Sequence, residues 1–106
     1  MAAYFMAHRK DISDSEKLRA YAQNVDETIE KFGGEVLARC DGFVVLEGSW
    51  ESGTKRDDSE PERVTIIRFP DMESLKAWYE SVEYRKLKAL RQECSDSDAV
   101  AVEGKA

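Results

Sequence analysis

The chain has 106 residues, of which 42% are hydrophobic and 36% are charged, and its formal net charge is −6 at pH 7. This composition predicts one globular domain over residues 1–106 and excludes a disordered chain. The acidic balance argues against a nucleic-acid partner, because lysine and arginine supply that affinity by neutralising phosphates. No apolar run approaches the ~20 residues of a membrane span, so we expect no membrane partner either.

The cysteine and histidine counts limit metal chemistry and location. Cys40 and Cys94 have no metal-type spacing, and we interpret them as free thiols in a reducing cytoplasm. A single histidine makes a multi-histidine metal site within one chain impossible. The N-terminal stretch has no basic region ahead of an apolar run, so no secretory signal is expected. We therefore predict a cytoplasmic protein with no metal and no cofactor.

The first predicted elements are a strand over residues 3–8 and a helix over about 13–32. Side chains of the strand alternate between two largely apolar faces: Tyr4, Met6 and His8 on one, and Ala3, Phe5 and Ala7 on the other. Ser13 and Glu16 form an S-x-x-E pattern that predicts a capping box at the start of the helix. Gly33-Gly34 is typical of a helix end.

The middle of the chain is predicted to be extended over residues 35–40 and 43–48. Asp41-Gly42 between them is typical of a hairpin turn, or of a bulge that bends one long strand. We favour one bent strand over 35–48, because a hairpin would reverse the chain once too often for the topology given below. Residues 49–62 are interpreted as a flexible acidic loop, with a lid over a nearby pocket as the functional alternative.

The last third is predicted to contain a strand over 63–69, a helix from Pro70-Asp71 onward, a second short helical piece and a final strand over 99–103. Apolar residues recur at helical spacing through Trp78 and Tyr79, and Arg91 falls on the same side of its helix as Tyr84. Residues 95–98 are predicted to form a turn, and residues 104–106 a tail.

This order of elements predicts an α+β, ferredoxin-like β-α-β-β-α-β domain, with an antiparallel sheet and two helices on one face. Two helices cover only one face, yet strands 3–8, 43–48 and 63–69 carry apolar groups on both. Each large side chain left in water costs about 1.5–3 kcal/mol relative to burial. We therefore predict a homodimer through the open sheet face.

Several short motifs occur in a characteristic order between residues 3 and 104. They are Ala3-Tyr4, Asp11 before the first helix, Tyr21 within it, Gly33-Gly34, Leu46-Glu47-Gly48, Ile67-Arg68-Phe69-Pro70, Ala77-Trp78-Tyr79, Glu83-Tyr84, Leu90-Arg91-Gln92 and Val102-Glu103-Gly104. Their order resembles the domain-of-unknown-function family 1330 (DUF1330), in the dimeric α/β-barrel superfamily. The resemblance implies a ferredoxin-like fold and a homodimer, a dimeric α/β barrel, but no known reaction. Two features depart from the family: Arg68, where members tend to carry an acid, and an acidic insertion near 51–62.

Few residues are candidates for a site. Histidine titrates near neutral pH, so His8 could move protons. Arg91 on an apolar stripe extends its charged end to water, pairs with a carboxylate such as Glu47, or binds an anionic ligand. The candidate catalytic residues are His8, Glu47 and Arg91, and the candidate ligand-binding residues are Tyr4, Trp78, Tyr84 and Arg91. Core packing is the competing interpretation for Trp78.

Two functions are compatible with these observations. The first is a homodimer that binds a small organic molecule in a pocket between the helices and the sheet. The alternative is a cofactor-free enzyme, monooxygenase-like or isomerase-like, that acts on a small aromatic or carbonyl compound. No motif of the sequence specifies a substrate.

Overall fold

A computed structural model describes residues 1–41, 43–48 and 63–105 of the chain. In chain order the elements are β1 (Ala3–Ile12), α1 (Ser15–Lys31), β2 (Glu35–Asp41), β3 (Arg63–Phe69), α2 (Met72–Tyr79), α3 (Val82–Cys94) and β4 (Ser95–Glu103). The strands form one antiparallel sheet in the order β2-β3-β1-β4, which does not close on itself. The predicted α+β, ferredoxin-like fold is confirmed, and the predicted short helical piece after the second helix is α3. No helix in the described part is long and apolar enough to cross a membrane.

The pairing of β1 with β3 places apolar side chains of both strands side by side, where the helices pack on them. Phe5 lies opposite Ile67, and Ala3 lies opposite Phe69. All four side chains are buried beneath the helices. Because side chains alternate along a strand, Tyr4, Met6 and His8 lie on the other face of the sheet. The predicted alternation of β1 is therefore confirmed.

The start of α1 differs from the predicted capping box. Asp14 is the N-cap, and its Oδ1 accepts the backbone amides of Glu16 at 3.1 Å and Lys17 at 3.2 Å. Ser13 instead joins α1 to the end of α3, since its backbone amide donates to the Cys94 carbonyl at 2.7 Å. The prediction failed by one residue because an aspartate, an equally good cap, follows the serine.

We expect Asp14→Ala to lower the free energy of unfolding by about 1 kcal/mol, because two amides in the first turn of α1 lose their acceptor. Urea unfolding at pH 7, followed by circular dichroism, measures the loss. Ser13→Ala is the matched control, since the Ser13 hydroxyl makes only a long 3.4 Å bond to the Glu93 carbonyl. Equal losses in the two variants would contradict the assignment of Asp14 as the cap.

β2 ends sooner than predicted. Its register against β3 shifts between Val36 and Ala38, and its last pair is Asp41 with Arg63. Residues 43–48 are not paired with β3 and have no regular secondary structure. The predicted strand over 43–48 and the single bent strand over 35–48 are therefore wrong. The predicted acidic loop over 49–62 lies outside the described residues.

β4 begins earlier than predicted, directly after the last residue of α3. Residues 95–98 pair with β1 instead of forming a turn, with Ser97 opposite Arg9 and Asp98 opposite His8. The amine of Lys10 on β1 lies 3.8 Å from the Asp96 carboxylate and 3.1 Å from that of Asp98. These two contacts with Lys10 partly neutralise the aspartates of a segment whose Ser-Asp-Ser-Asp composition is typical of a turn.

The core between sheet and helices is built around Trp78, whose side chain has no exposed surface. Its ring centroid lies 5.1 Å from that of Phe5, 5.3 Å from that of Phe69 and 4.2 Å from that of Tyr84. The indole Nε1 donates a 3.0 Å hydrogen bond to the Thr28 hydroxyl on α1. One residue of α2 thus holds both longer helices and the two central strands together.

The other side of the sheet has no helix on it, and we call it the open face. It carries six large side chains from three strands: Tyr4, Met6, Val64, Ile66, Val100 and Val102. Val100 is 57% exposed and Val102 is 44% exposed. The open face is therefore an apolar surface that no described helix covers; its β4 side chains are exposed, and those of Tyr4, Met6, Val64 and Ile66 are half-buried.

Candidate functional site

A cavity of about 340 Å³ lies between the sheet and helices α1 and α3. This volume is at the lower end of the range of about 300–1,000 Å³ found for small-molecule sites. Residues of β1, β2, β3 and β4 form its floor, and residues of α1 and α3 form its walls. The cavity is on the helix side of the sheet, opposite the open face.

The floor of the cavity becomes more polar along β1 and β3. Three register pairs follow one another: Phe5 with Ile67, Ala7 with Thr65, and Arg9 with Arg63. Strands rise about 3.3 Å per residue, so the apolar pair and the arginine pair are about 13 Å apart. On α1, the buried residues Val25 and Ile29 also line the cavity. The cavity therefore has an apolar end and a cationic end.

Five arginines from five different elements line the cavity: Arg9, Arg19, Arg39, Arg63 and Arg91. The described lining residues include no aspartate or glutamate. Arg39 is engaged with Asp26 of α1, since its Nη2 lies 2.6 Å from the Asp26 Oδ1. In a chain with a net charge of −6, this concentration of guanidinium groups favours the entry of an anion.

Arg91 is held in the cavity wall by two tyrosines. The hydroxyls of Tyr21 and Tyr84 lie 2.9 Å apart, and both tyrosines interact electrostatically with the guanidinium of Arg91. Burial, reinforced by Tyr84, raises the pKa of Tyr21 above its ordinary value. Burial alone would lower the pKa of Arg91, but Tyr84 and Tyr21 outweigh it and raise that pKa. At neutral pH Tyr21 is therefore a protonated phenol, and Arg91 carries one positive charge.

The structure brings together three of the residues predicted for the site. Arg91 lines the cavity, while Tyr84 lies one layer behind it and contacts both Arg91 and Tyr21. Trp78 packs against the Tyr84 ring, is fully buried and does not line the cavity. Arg91 is thus the member of this group with direct access to a ligand.

The other predicted site residues lie elsewhere. Tyr4 and His8 are on the open face, and the His8 ring packs edge-on against Phe43 with 5.4 Å between centroids. Glu47 is exposed in the segment 43–48 and makes no ion pair with Arg91, so the predicted Glu47–Arg91 pair is wrong. The catalytic set of His8, Glu47 and Arg91 is not gathered in one place, and the individual roles stay predictions.

Sequence reasoning missed Tyr21 and four of the five arginines. Arg9 could have been found, since continuing the alternation of β1 places it on the same face as Phe5 and Ala7. The same alternation along β3, followed back from Ile67, places Arg63 on the helix side of the sheet. Arg39 could not have been found in this way, because the register shift in β2 breaks the alternation.

The chemistry that this arrangement offers is anion recognition. Guanidinium and phenol groups donate hydrogen bonds, and arginine forks match carboxylate and phosphate oxygens. Within residues 1–41, 43–48 and 63–105, no cluster of three or more histidine, cysteine, aspartate or glutamate residues is arranged to hold a metal ion.

The four-stranded antiparallel sheet, with its helices on one face and a cavity between them, defines a ferredoxin-like α+β domain. The family model described as Domain of unknown function (DUF1330) matches residues 2–105, and the chain belongs to this family. The resemblance found in the sequence motifs is thereby confirmed. Among curated proteins, none matches the sequence.

Solved structures with the same fold include proteins of quite different description. RPA0582, a protein of unknown function from Rhodopseudomonas palustris, is 17% identical, with 99% of this chain and 84% of that chain covered and a TM-score of 0.70. SnoaB, a cofactor-independent oxygenase from Streptomyces nogalater, is 8% identical, with 99% and 94% covered and a TM-score of 0.66. At these identities the similarity shows the fold alone.

Proposed function

We propose that this protein binds a small organic anion in the cavity between the sheet and helices α1 and α3. The observation that carries the proposal is the lining, which has five arginines and, among its described residues, no acid. A guanidinium group binds an oxyanion through charge and through a fork of two N–H donors, which gives both affinity and orientation.

The apolar end of the cavity supports an organic ligand over a simple inorganic ion. Phe5, Ile67 and Ile29 present carbon surface about 13 Å from the arginine pair. Apolar surface that a ligand buries there adds about 25 cal/mol per Å². A ligand with an anionic head and a short aromatic or aliphatic body would use both ends of the site.

The anion site can be tested by thermal unfolding of the whole chain with benzoate, phenyl phosphate or benzyl alcohol. We expect one or both anions to raise Tm by several degrees at concentrations well above Kd, because a ligand at 100 Kd stabilises by about 2.7 kcal/mol. Benzyl alcohol, which has an apolar body but no charge, should have little effect.

Arg91→Gln should weaken binding of the stabilising anion at least tenfold, because it removes a charged donor from the cavity wall. Arg85→Gln is the matched control, since Arg85 is on the same helix and exposed. An equal response to benzyl alcohol, or equal losses in the two variants, would contradict the anion site.

We also propose that two copies of the chain associate through the open face. The support is its set of large apolar side chains on three strands, including the half-buried Ile66 and the exposed Val100 and Val102. An apolar patch of this kind normally marks an interface. A twofold arrangement would cover the open face of both copies at once.

The cofactor-free enzyme remains the alternative function, and the composition of the cavity favours binding over catalysis. Its described lining residues include no carboxylate or imidazole that could accept a proton. His8, the single histidine of the chain, lies on the opposite face of the sheet.

The two free thiols, Cys40 and Cys94, support the proposed location in a reducing cytoplasm.

A further inference from the structure

Three side chains form a row across the sheet at the cationic end of the cavity. Arg63 on β3 lies opposite Arg9 on β1, and Arg9 lies opposite Ser97 on β4. All three line the cavity. Neighbouring strands are about 4.8 Å apart, so the row presents two guanidinium groups and a hydroxyl over roughly 10 Å.

Arg91 stands over the same end of the cavity. Its carbonyl accepts a 2.7 Å hydrogen bond from the Ser95 hydroxyl at the start of β4, two residues before Ser97. The side chain of Arg91 lines the cavity from α3, opposite the row on the sheet. A ligand head at this end therefore meets arginines from two layers of the fold.

Two buried polar atoms beside this end lack a hydrogen-bond partner among the described residues. They are the Ser97 Oγ and the Arg91 Nε. Buried donors are usually paired, and an unpaired one is stabilised when a ligand supplies an acceptor. An oxygen-rich head group placed between the sheet and α3 would bring several acceptors to the same place.

We infer that the head group is that of a phosphate monoester, an inference that rests on the anion site proposed above. A carboxylate has one charge and two oxygens, which one arginine fork can occupy. A phosphate monoester has about −1.5 to −2 charges at pH 7 and three free oxygens. The row of Arg63, Arg9 and Ser97, with Arg91 above it, fits three oxygens and two charges better. The ligand class is thus a small aromatic or aliphatic monophosphate.

Titration calorimetry on the whole chain with three probes tests the head group. Phenyl phosphate, phenyl sulfate and benzoate share an apolar ring but differ in the charge and shape of the head. At pH 7.5 and constant ionic strength, we expect phenyl phosphate to bind at least tenfold more tightly than either of the others. Phenyl sulfate, with three oxygens and one charge, separates the effect of charge from that of shape.

The pH dependence gives a second readout on the unaltered protein. The second proton of a phosphate monoester leaves near pH 6, so the advantage of phenyl phosphate should fall to less than threefold at pH 5. Among the described residues, the charged and phenolic groups that line the cavity do not change charge in this range, because arginine stays protonated and the pKa of Tyr21 is raised. Binding of phenyl sulfate should change little.

Variants identify the residues of the row. Arg63→Gln should weaken the binding of phenyl phosphate at least tenfold. Ser97→Ala should weaken the binding of phenyl phosphate several-fold and leave the binding of benzoate unchanged. Arg68→Gln is the matched control, because Arg68 is on β3 but is exposed on the opposite face. Benzoate binding as tightly as phenyl phosphate, or an unchanged ratio at pH 5, would overturn the phosphate head and leave the anion site standing. Failure of all three probes would overturn both.

Discussion

Replacing Trp78 with alanine is expected to lower the free energy of unfolding by about 3–5 kcal/mol. Trp78 is fully buried and its ring contacts Phe5, Phe69 and Tyr84. The variant loses this packing and leaves a void between α2 and the sheet, which the surrounding helices can fill only in part. Small domains have total stabilities of about 5–15 kcal/mol, so the variant should be close to unfolded at 37 °C.

Denaturant unfolding followed by far-UV circular dichroism measures this loss. Val82→Ala is the control, since Val82 is 70% exposed at the start of α3 and should change stability by less than about 0.5 kcal/mol. Trp78→Phe keeps an aromatic ring but loses the bond to the Thr28 hydroxyl, so its loss should be intermediate. A loss below about 1 kcal/mol for Trp78→Ala would show that Trp78 is not the centre of the core.

Ile66→Asp is expected to convert the proposed dimer into a monomer. Ile66 is in the middle of the open face, opposite Met6 on β1 on one side and Ala38 on β2 on the other. An unpaired carboxylate taken out of water at an apolar interface carries a desolvation penalty of several kcal/mol. At about 1.4 kcal/mol per tenfold change in Kd, association would weaken by orders of magnitude.

Light scattering coupled to size-exclusion chromatography at micromolar concentration measures the oligomeric state. Val82→Asp is the control, because it makes the same change at an exposed position on the helix layer. It should remain dimeric and folded. Parent protein that elutes as a stable monomer at these concentrations would contradict association through the open face, whatever the variants do.

The sheet and its core could be predicted because the buried positions of a strand or helix recur in the sequence with the period of that element. In β1 and β3, apolar residues alternate between the two faces, and the observed register of Phe5 with Ile67 follows that pattern. The helices carry apolar residues at steps of three and four, among them Val25, Ile29 and Trp78. These elements are determined by local pattern, so the sequence alone was sufficient.

The remaining features depend on contacts between distant parts of the chain. The start of β4 was missed because Ser95 to Asp98 have turn composition, and only pairing with β1 makes them a strand. A pocket between the helices and the sheet was predicted, but its arginine lining was missed for a similar reason. Arg9, Arg63 and Arg91 are far apart in sequence and meet only through sheet register and the packing of α3.

The direct junction between α3 and β4 has a consequence for how the chain can tolerate changes in length. Cys94 ends the helix and Ser95 begins the strand, with no residue between them to absorb an insertion. One added residue at this point would shift β4 by one position and exchange its two faces. Ala99 and Ala101 would then turn away from the helices, and Ser97 would leave the side of Arg9. Insertions and deletions compatible with the cavity are therefore restricted to other connections of the fold.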